Sequence, residues 1–331
     1  MMDRFEHGGR VYDADGRRRD VLDFSANINP LGMPTSVRDA LINNLGGVEH
    51  YPDPDARALK AAIAQRYSLD VENIAVFNGA AEFFYIYFNL IAPTDIFIPT
   101  PTFSEYERAA TAAGLRISFD APADNMIVCN PNNPTGRLRS VDEILSLKAA
   151  RLIVDESFID FVGDEQSVKK FVGQRDGLIV VQSLTKIFAI PGLRLGFAVA
   201  PADVITQLDR AKDVWNVNYL AQIAGVAALN DLDYLNRTRR WIEVERRYFY
   251  ERLRSIDGIE VFEPTANFVL IKFESERRAR TVIDALAEEN ILVRRCDNFR
   301  GLNGRFIRMA IRLRAENDRL LNIIDSGGRL N

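Results

Sequence analysis

The chain has 331 residues, 47% of them hydrophobic and 27% charged, with a net charge of −4. That is enough chain for a large core in one or two domains of ordinary globular composition. The charge balance gives no reason to expect nucleic acid or an anionic membrane as a partner, and no apolar run is long enough to span a bilayer. Cys129 and Cys296 are too few for a disulfide framework. With only His7 and His50 beside them, a metal site is not expected either. Met1 to Glu6 has no signal-peptide core, so a reducing, cytoplasmic setting is the expectation.

His7-Gly8-Gly9 and the stretch 22–32 are too polar and turn-rich for a helix or a buried strand. They read as a loop packed over a site, or as an arm on the surface. The stretch 50–54 is a rigid extended turn, after which Asp55 can cap a helix whose Ala56, Leu59, Ala62 and Ile63 share one face. Strands are predicted at 74–77, 96–98, 117–119, 127–129, 152–154, 178–182 and 196–199. Asn78-Gly79-Ala80-Ala81 turns into a helix running to about Leu90. Ser104 with Glu107, and Ser140 with Glu143, have capping-box spacing. Strand–helix alternation of this kind predicts an α/β fold, a mostly parallel sheet covered by helices.

Beyond about residue 200 the pattern changes. Helices are expected over 220–229 and over the long charged stretch 234–256, which suits a helix linking two domains. Strands at 268–271 and 306–311, with helices at 277–289 and 315–324, suggest a smaller α+β domain. The expected division is 1–45 for an N-terminal arm and part of the small domain, 46–235 for the large domain, and 236–331 for the small one.

Lys186 follows a buried strand, at the lip of the sheet, where open parallel sheets bind ligands. Ser183 and Thr185 flank it and Arg194 follows. Two hydroxyls, an amine and a guanidinium suit a phosphate that carries an aldehyde, which describes pyridoxal 5'-phosphate (PLP). A solvated loop lysine is the alternative reading of these residues alone. The Gly79-Ala80-Ala81 turn can bring backbone N–H groups to a phosphate at a helix N-terminus. The stretch 130–136 sets three asparagines and two prolines directly after a strand, more rigid polar chemistry than a plain turn needs. Asp155 ends another strand, where a carboxylate could pair with a pyridine nitrogen.

Taken in order, Asn-Gly-Ala, Asn-Pro-Asn-Asn-Pro-Thr-Gly, Asp-Glu, Ser-x-Thr-Lys and Gly-Leu-Arg-x-Gly resemble the fold-type I PLP enzymes. Within them the chain resembles the histidinol-phosphate aminotransferase branch, and there the threonine-phosphate decarboxylase family of cobalamin biosynthesis. His7-Gly8-Gly9, the stretches 22–32 and 51–54, and the segments 298–302 and 306–312 carry the finer resemblance. The resemblance implies PLP linked covalently to Lys186, with Asp155 on the ring nitrogen, Asn133 on the ring hydroxyl and Phe103 stacked on the ring. It implies a phosphate held by Gly79, Ala80, Ala81, Ser183, Thr185 and Arg194. Tyr51 is implied to reach the phosphate of a neighbouring subunit, which makes a homodimer with shared sites.

For the substrate, a phosphorylated amino acid, the same resemblance matches Arg308 to the arginine that takes the carboxylate in the aminotransferases. His7, Gly8, Asn29, Asn133 and Arg312 complete the expected substrate contacts, with His7 and Asn29 as donors to the phosphate. Arg312 lies four residues beyond Arg308, and on one continuous strand the two would share a face. Arg294 and Arg295 lie nearby in sequence. The wider family has Asp-Glu-Ala-Tyr where this chain has Asp155-Glu156-Ser157-Phe158. Phe158 cannot donate a hydrogen bond, so Asn133 is left as the main partner of the ring oxygen. The expected reaction is decarboxylation of O-phospho-L-threonine, with histidinol-phosphate or related amino transfer as the alternative.

Overall fold

The computed structural model describes residues 5–92 and 94–328; residues 1–4, part of the stretch read as lacking a signal-peptide core, lie outside them. The N-terminal segment carries β1 (Leu22–Asp23), then helices α1 (Thr35–Asn43) and α2 (Arg57–Tyr67). The alternating part follows as β2 (Ile74–Phe77), α3 (Ala80–Ile91), β3 (Asp95–Phe97), α4 (Glu105–Ala112) and β4 (Arg116–Ser118). It continues with β5 (Asn125–Cys129), α5 (Val141–Leu145), β6 (Arg151–Asp155), β7 (Leu178–Ser183) and β8 (Gly196–Val199).

Strands β2 to β8 form one seven-stranded sheet in the order β2-β8-β7-β6-β5-β3-β4. Pairing is parallel from β7 across to β4, while β8 runs antiparallel to both β7 and β2. Helices cover both faces, so β5 and β7 bury every residue and β6 all but Arg151, and these strands read as largely apolar runs. Successive side chains still serve different cores. Val76 and Phe197 join one cluster with α2 and with Ala221, Ala224 and Ala228, whereas Ala75, Phe77 and Ile153 join the other with α3 and α4.

Helices α6 (Ala202–Ala211), α7 (Tyr219–Asn230) and the 23-residue α8 (Leu232–Arg254) lead away from the main sheet. The remainder is β9 (Ile259–Val261), β10 (Phe268–Phe273), α9 (Glu276–Glu288), β11 (Ile291–Leu292), β12 (Arg294–Arg295), β13 (Phe306–Ala310) and α10 (Arg314–Asp325). Four of these strands make an antiparallel sheet in the order β12-β13-β10-β9. β11 pairs in parallel with β1, which ties the N-terminal segment to this end of the molecule. Phe24, Phe249, Phe273 and Leu286 lie fully buried in its core, each contributing about 1.5–3 kcal/mol by leaving water.

Three local expectations are corrected. Ser104 does not cap α4, because its own backbone is already helical, and no side-chain bond forms; the Ser140–Glu143 box does form both bonds. Asp55 does not cap α2. Asp53 does that work, its Oδ2 accepting the Arg57 N–H at 2.9 Å, while Ala56 takes a left-handed φ of 46°. β13 stops at Ala310, so strand periodicity does not extend to Arg312.

Candidate active site

A cavity of about 290 Å³ opens at the carboxyl ends of β5, β6 and β7, where an open parallel sheet binds ligands. Lys186, Asp155, Ser183, Thr185, Asn133 and Arg194 all reach it. A wider polar depression of about 670 Å³ lies at the opposite ends of the strands, beside Asp95, Asn125 and Arg151. Among the described residues it is lined by no lysine or cysteine, whereas the smaller cavity holds a buried amine.

Lys186 sits beyond β7 with its Nζ 5.5 Å from the centre of the Phe158 ring. Burial pushes the ammonium below the ordinary lysine value; Asp155 opposes this and Arg194 adds to it. Lowering the value exposes the free amine, the form that attacks a carbonyl. Asn29, expected at the substrate, lies outside the cavity. Its backbone N–H donates to the Lys186 carbonyl at 3.1 Å and its Nδ2 to the Ile187 carbonyl at 2.8 Å. It therefore fixes the turn that carries the lysine.

One end of the cavity is made for an anion. Gly79, at a φ of 82°, precedes the first turn of α3, and Ala80 and Ala81 line the wall. A Cβ on Gly79 would lie 2.3 Å from Nη2 of Arg194, so a side chain there would displace the guanidinium as well as strain the left-handed backbone. Ser183 Oγ and Thr185 Oγ1 are bonded at 2.8 Å beside it.

Asp155 is held at both oxygens. The Ser157 N–H donates to Oδ1 at 2.9 Å and the Tyr106 hydroxyl donates to Oδ2 at 2.6 Å. Tyr106 is fully buried, and burial with the neighbouring Asp155 raises its hydroxyl well above the ordinary tyrosine value. It therefore stays a donor. Nothing in the sequence reading named it; the usable signal is its place three residues after Phe103, on the same side of the start of α4. Phe103 lines the cavity and meets Tyr106 edge-on at 5.5 Å. Cys129 lies nearby, its thiol pushed up to about 12 by burial and by Asp155, which leaves it unreactive.

The substrate end departs most from expectation. Arg308 is buried and lines the cavity; Arg312 does not, being bound to Glu316 at 3.1 Å. The second arginine at this end of the cavity is Arg294, placed directly opposite Arg308 by the β12–β13 register. Arg308 donates to Asn133 Oδ1 at 2.6 Å and also to the Ser25 carbonyl. Arg294 donates to Asn298 Oδ1 at 2.7 Å and to the Glu6 carbonyl at 2.5 Å. Among the described residues neither has a carboxylate within ion-pair distance. Burial pushes Arg308 down to about 10. Asn27, two residues before the expected Asn29, also lines the cavity, and both of its buried side-chain polar atoms lack partners. His7 and Gly8 close the cavity from the arm. Tyr51 is absent from this wall: it is exposed and stacks on Trp215 at 4.0 Å.

Residues 19–324 match the family described as aminotransferase class I and II. The chain belongs to this family. The threonine-phosphate decarboxylase of Salmonella typhimurium is 36% identical to this aminotransferase-family chain, over 95% of it and 94% of the relative. The solved histidinol-phosphate aminotransferase of Clostridium acetobutylicum superposes with a TM-score of 0.86 at 32% identity, covering 93% of this chain and 99% of that one. The solved L-threonine-O-3-phosphate decarboxylase of Porphyromonas gingivalis gives 0.85 at 28% identity, covering 92% and 99%. The cofactor of this aminotransferase-family protein is PLP. The cavity fits it, with a buried amine, an anion cradle that a Cβ would fill, and a doubly held acid.

Proposed function

We propose that the protein is a PLP-dependent decarboxylase that converts O-phospho-L-threonine to (R)-1-aminopropan-2-yl phosphate in cobalamin biosynthesis. The observation that carries this reading is the Arg294–Arg308 pair. Two buried guanidiniums side by side, without a carboxylate, are destabilising until an anion joins them. A substrate with both a phosphate and a carboxylate supplies such charge, and His7 lies on the same wall. The name of the Salmonella relative points the same way.

In the proposed roles, Lys186 carries the cofactor and Asp155 faces its ring nitrogen. Gly79, Ala80, Ala81, Ser183, Thr185 and Arg194 hold its phosphate, Phe103 lies against the ring, and Asn133 turns its Nδ2 to the ring oxygen. Bound PLP supplies the electron sink for the pair left on Cα as CO2 departs. The protein's own residues decide what departs. An arginine gripping the carboxylate would stabilise the ground state more than the transition state. The phosphate therefore takes the arginines and His7, and the carboxylate takes neutral amides such as Asn27. Holding the phosphate fixes the orientation of the rest of the substrate.

The test is CO2 release from O-phospho-L-threonine against threonine, run beside glutamate formation from 2-oxoglutarate with histidinol phosphate. Rapid CO2 release that needs the substrate phosphate supports the decarboxylase. The likeness to a histidinol-phosphate aminotransferase favours amino transfer as the second reading, and amino transfer without CO2 would establish it. Serine phosphate lacks one methyl, worth only ~1–3 kcal/mol in an apolar pocket.

The same reading includes a cytoplasmic homodimer, a large domain over 46–235 and a small one over 236–331 joined by part of the arm. Ile42, Leu45, Val48, Tyr51, Val214 and Trp215 are all exposed, and the Tyr51–Trp215 stack joins the two stretches. Exposed apolar surface of this kind suits a partner subunit, to which Tyr51 would reach. An active monomer in sedimentation at assay concentration would contradict it.

A further inference from the structure

The N-terminal arm is fastened over the cavity at three successive points. The Glu6 carbonyl accepts hydrogen bonds from Arg294 and Asn298. His7 Nε2 lies 2.6 Å from Oε1 of Glu105, the first residue of α4. The Gly9 N–H donates to Ser25 Oγ at 2.8 Å. Between the last two, Gly8 is pressed so close to Ser25 that a Cβ would lie 2.1 Å from its carbonyl oxygen. The His7 ring also rests against Phe103, centre to centre at 5.4 Å.

Glu105 is buried yet belongs to no catalytic group so far described. The Tyr85 hydroxyl donates to its Oε2 at 2.9 Å, and Arg108 lies 3.4 Å from its Oε1. Burial works to raise this carboxyl, but the bonds from His7 and Tyr85 outweigh it, and the group is held below the ordinary glutamate value. An ionised carboxylate only accepts, so the proton between Glu105 and His7 belongs to Nε2. Among the described residues Nδ1 has no partner. On a ring that lines the cavity, that is the nitrogen left for a ligand.

We propose that Glu105 is a positioning residue for substrate recognition: it anchors His7 through Nε2 and turns Nδ1 to the substrate's phosphate, so that the arm closes on phosphorylated amino acids. This rests on the phosphorylated substrate proposed above. The chemistry at Nδ1 is a single hydrogen bond to a phosphate oxygen. A neutral ring accepts it from a P–OH, and a protonated ring donates it. A ligand without the phosphate gains nothing from the clasp, so Glu105 contributes selectivity for phosphorylated over plain amino acids.

The chain has only two histidines, which makes the test direct. In holoenzyme with 15N-labelled histidine, the ring nitrogens of His7 are separated from those of His50 by a His50→Gln variant. Expected is a His7 proton on Nε2 in the free enzyme, and a response at Nδ1 when inorganic phosphate is added. A proton on Nδ1 alone, or a response confined to Nε2, overturns the proposal whatever reaction the enzyme catalyses. The second arm is a double-mutant cycle. Glu105→Gln is expected to raise KM for O-phospho-L-threonine about tenfold, as loss of a bond to a charged group does, with kcat moving less. If Glu105 acts through His7, adding Glu105→Gln to His7→Ala costs nothing further. Additive losses would mean that Glu105 merely stabilises the fold, and would overturn the positioning role. If no variant, parent included, releases CO2 from phosphothreonine, the substrate reading fails while the nitrogen assignments still decide the clasp.

Discussion

Arg308 and Asn133 hold one another across 2.6 Å, although 175 positions separate them in the chain. The arginine comes from β13 and the amide from the loop after β5. Because the guanidinium can only donate, it takes the Asn133 carbonyl and leaves Nδ2 turned elsewhere. That settles the orientation of the amide, which faces the ring oxygen in the proposed cofactor pose. The same arginine reaches Ser25 in the N-terminal segment, so one buried side chain gathers three distant stretches around the substrate end.

Replacing Arg308 by Lys should therefore be severe. A lysine presents a point charge and cannot donate in the forked arrangement that meets Asn133 and Ser25 together. We expect kcat/KM to fall about 100-fold, the scale of losing one or two bonds to a charged group. Cofactor content should stay near that of the parent. Steady-state kinetics with an absorbance measure of bound PLP checks both.

Lys186→Ala should abolish covalent cofactor attachment. Borohydride reduction of the parent should fix PLP onto Lys186, located by peptide mass analysis. The variant should incorporate none and lose nearly all turnover. Labelling of any other lysine would remove the basis for the assignment.

Tyr106→Phe removes one of the two donors to Asp155. A buried acceptor left with a missing partner costs about 1–3 kcal/mol. The apparent Kd for PLP should rise about tenfold. Fluorescence titration of the apoenzyme reads this without any assay of turnover. An unchanged Kd would show that Ser157 alone suffices to orient the acid.

Acid should loosen the arm. Glu105 has its folded value lowered from 4.5, so its contribution is fully present above that unfolded value. The contribution disappears as pH falls through the lower folded value, where the carboxylate is protonated and releases His7. The protection of the Gly9 N–H, which is bonded to Ser25, relative to a free amide at the same pH should be steady above the usual carboxylate range and fall below it in hydrogen exchange. Glu105→Gln should flatten that dependence.

The sequence revealed those parts of the site whose chemistry is local. Lys186 with its flanking hydroxyls, the Gly79 turn and Asp155 each sit at the end of an apolar strand, and strands of that kind are recognisable within a few residues. The second arginine was not local in this sense. Arg294 meets Arg308 through an antiparallel register that no spacing announces, while Arg312, at the right spacing, is lost because β13 ends first. Asn27 and Asn29 differ in a similar way. Both lie in one polar loop, and only the placement of Tyr234 and Thr238 on α8 decides which amide is satisfied and which faces the cavity. The helix cap at Ser104 misled because spacing specifies which bonds could form and backbone angles specify which do.

Glu105 and Tyr106 are neighbours in the first turn of α4, one gripping the arm and the other the acid at the end of β6. A helix turns roughly 100° per residue, so one residue added within that turn would swing both side chains out of place together. The segment around 103–106 should thus admit no change of length in any descendant that keeps both contacts. The surface connection between β4 and β5 faces no such demand and is free to grow or shrink. Length variation among natural variants should therefore concentrate in that connection and avoid the first turn of α4.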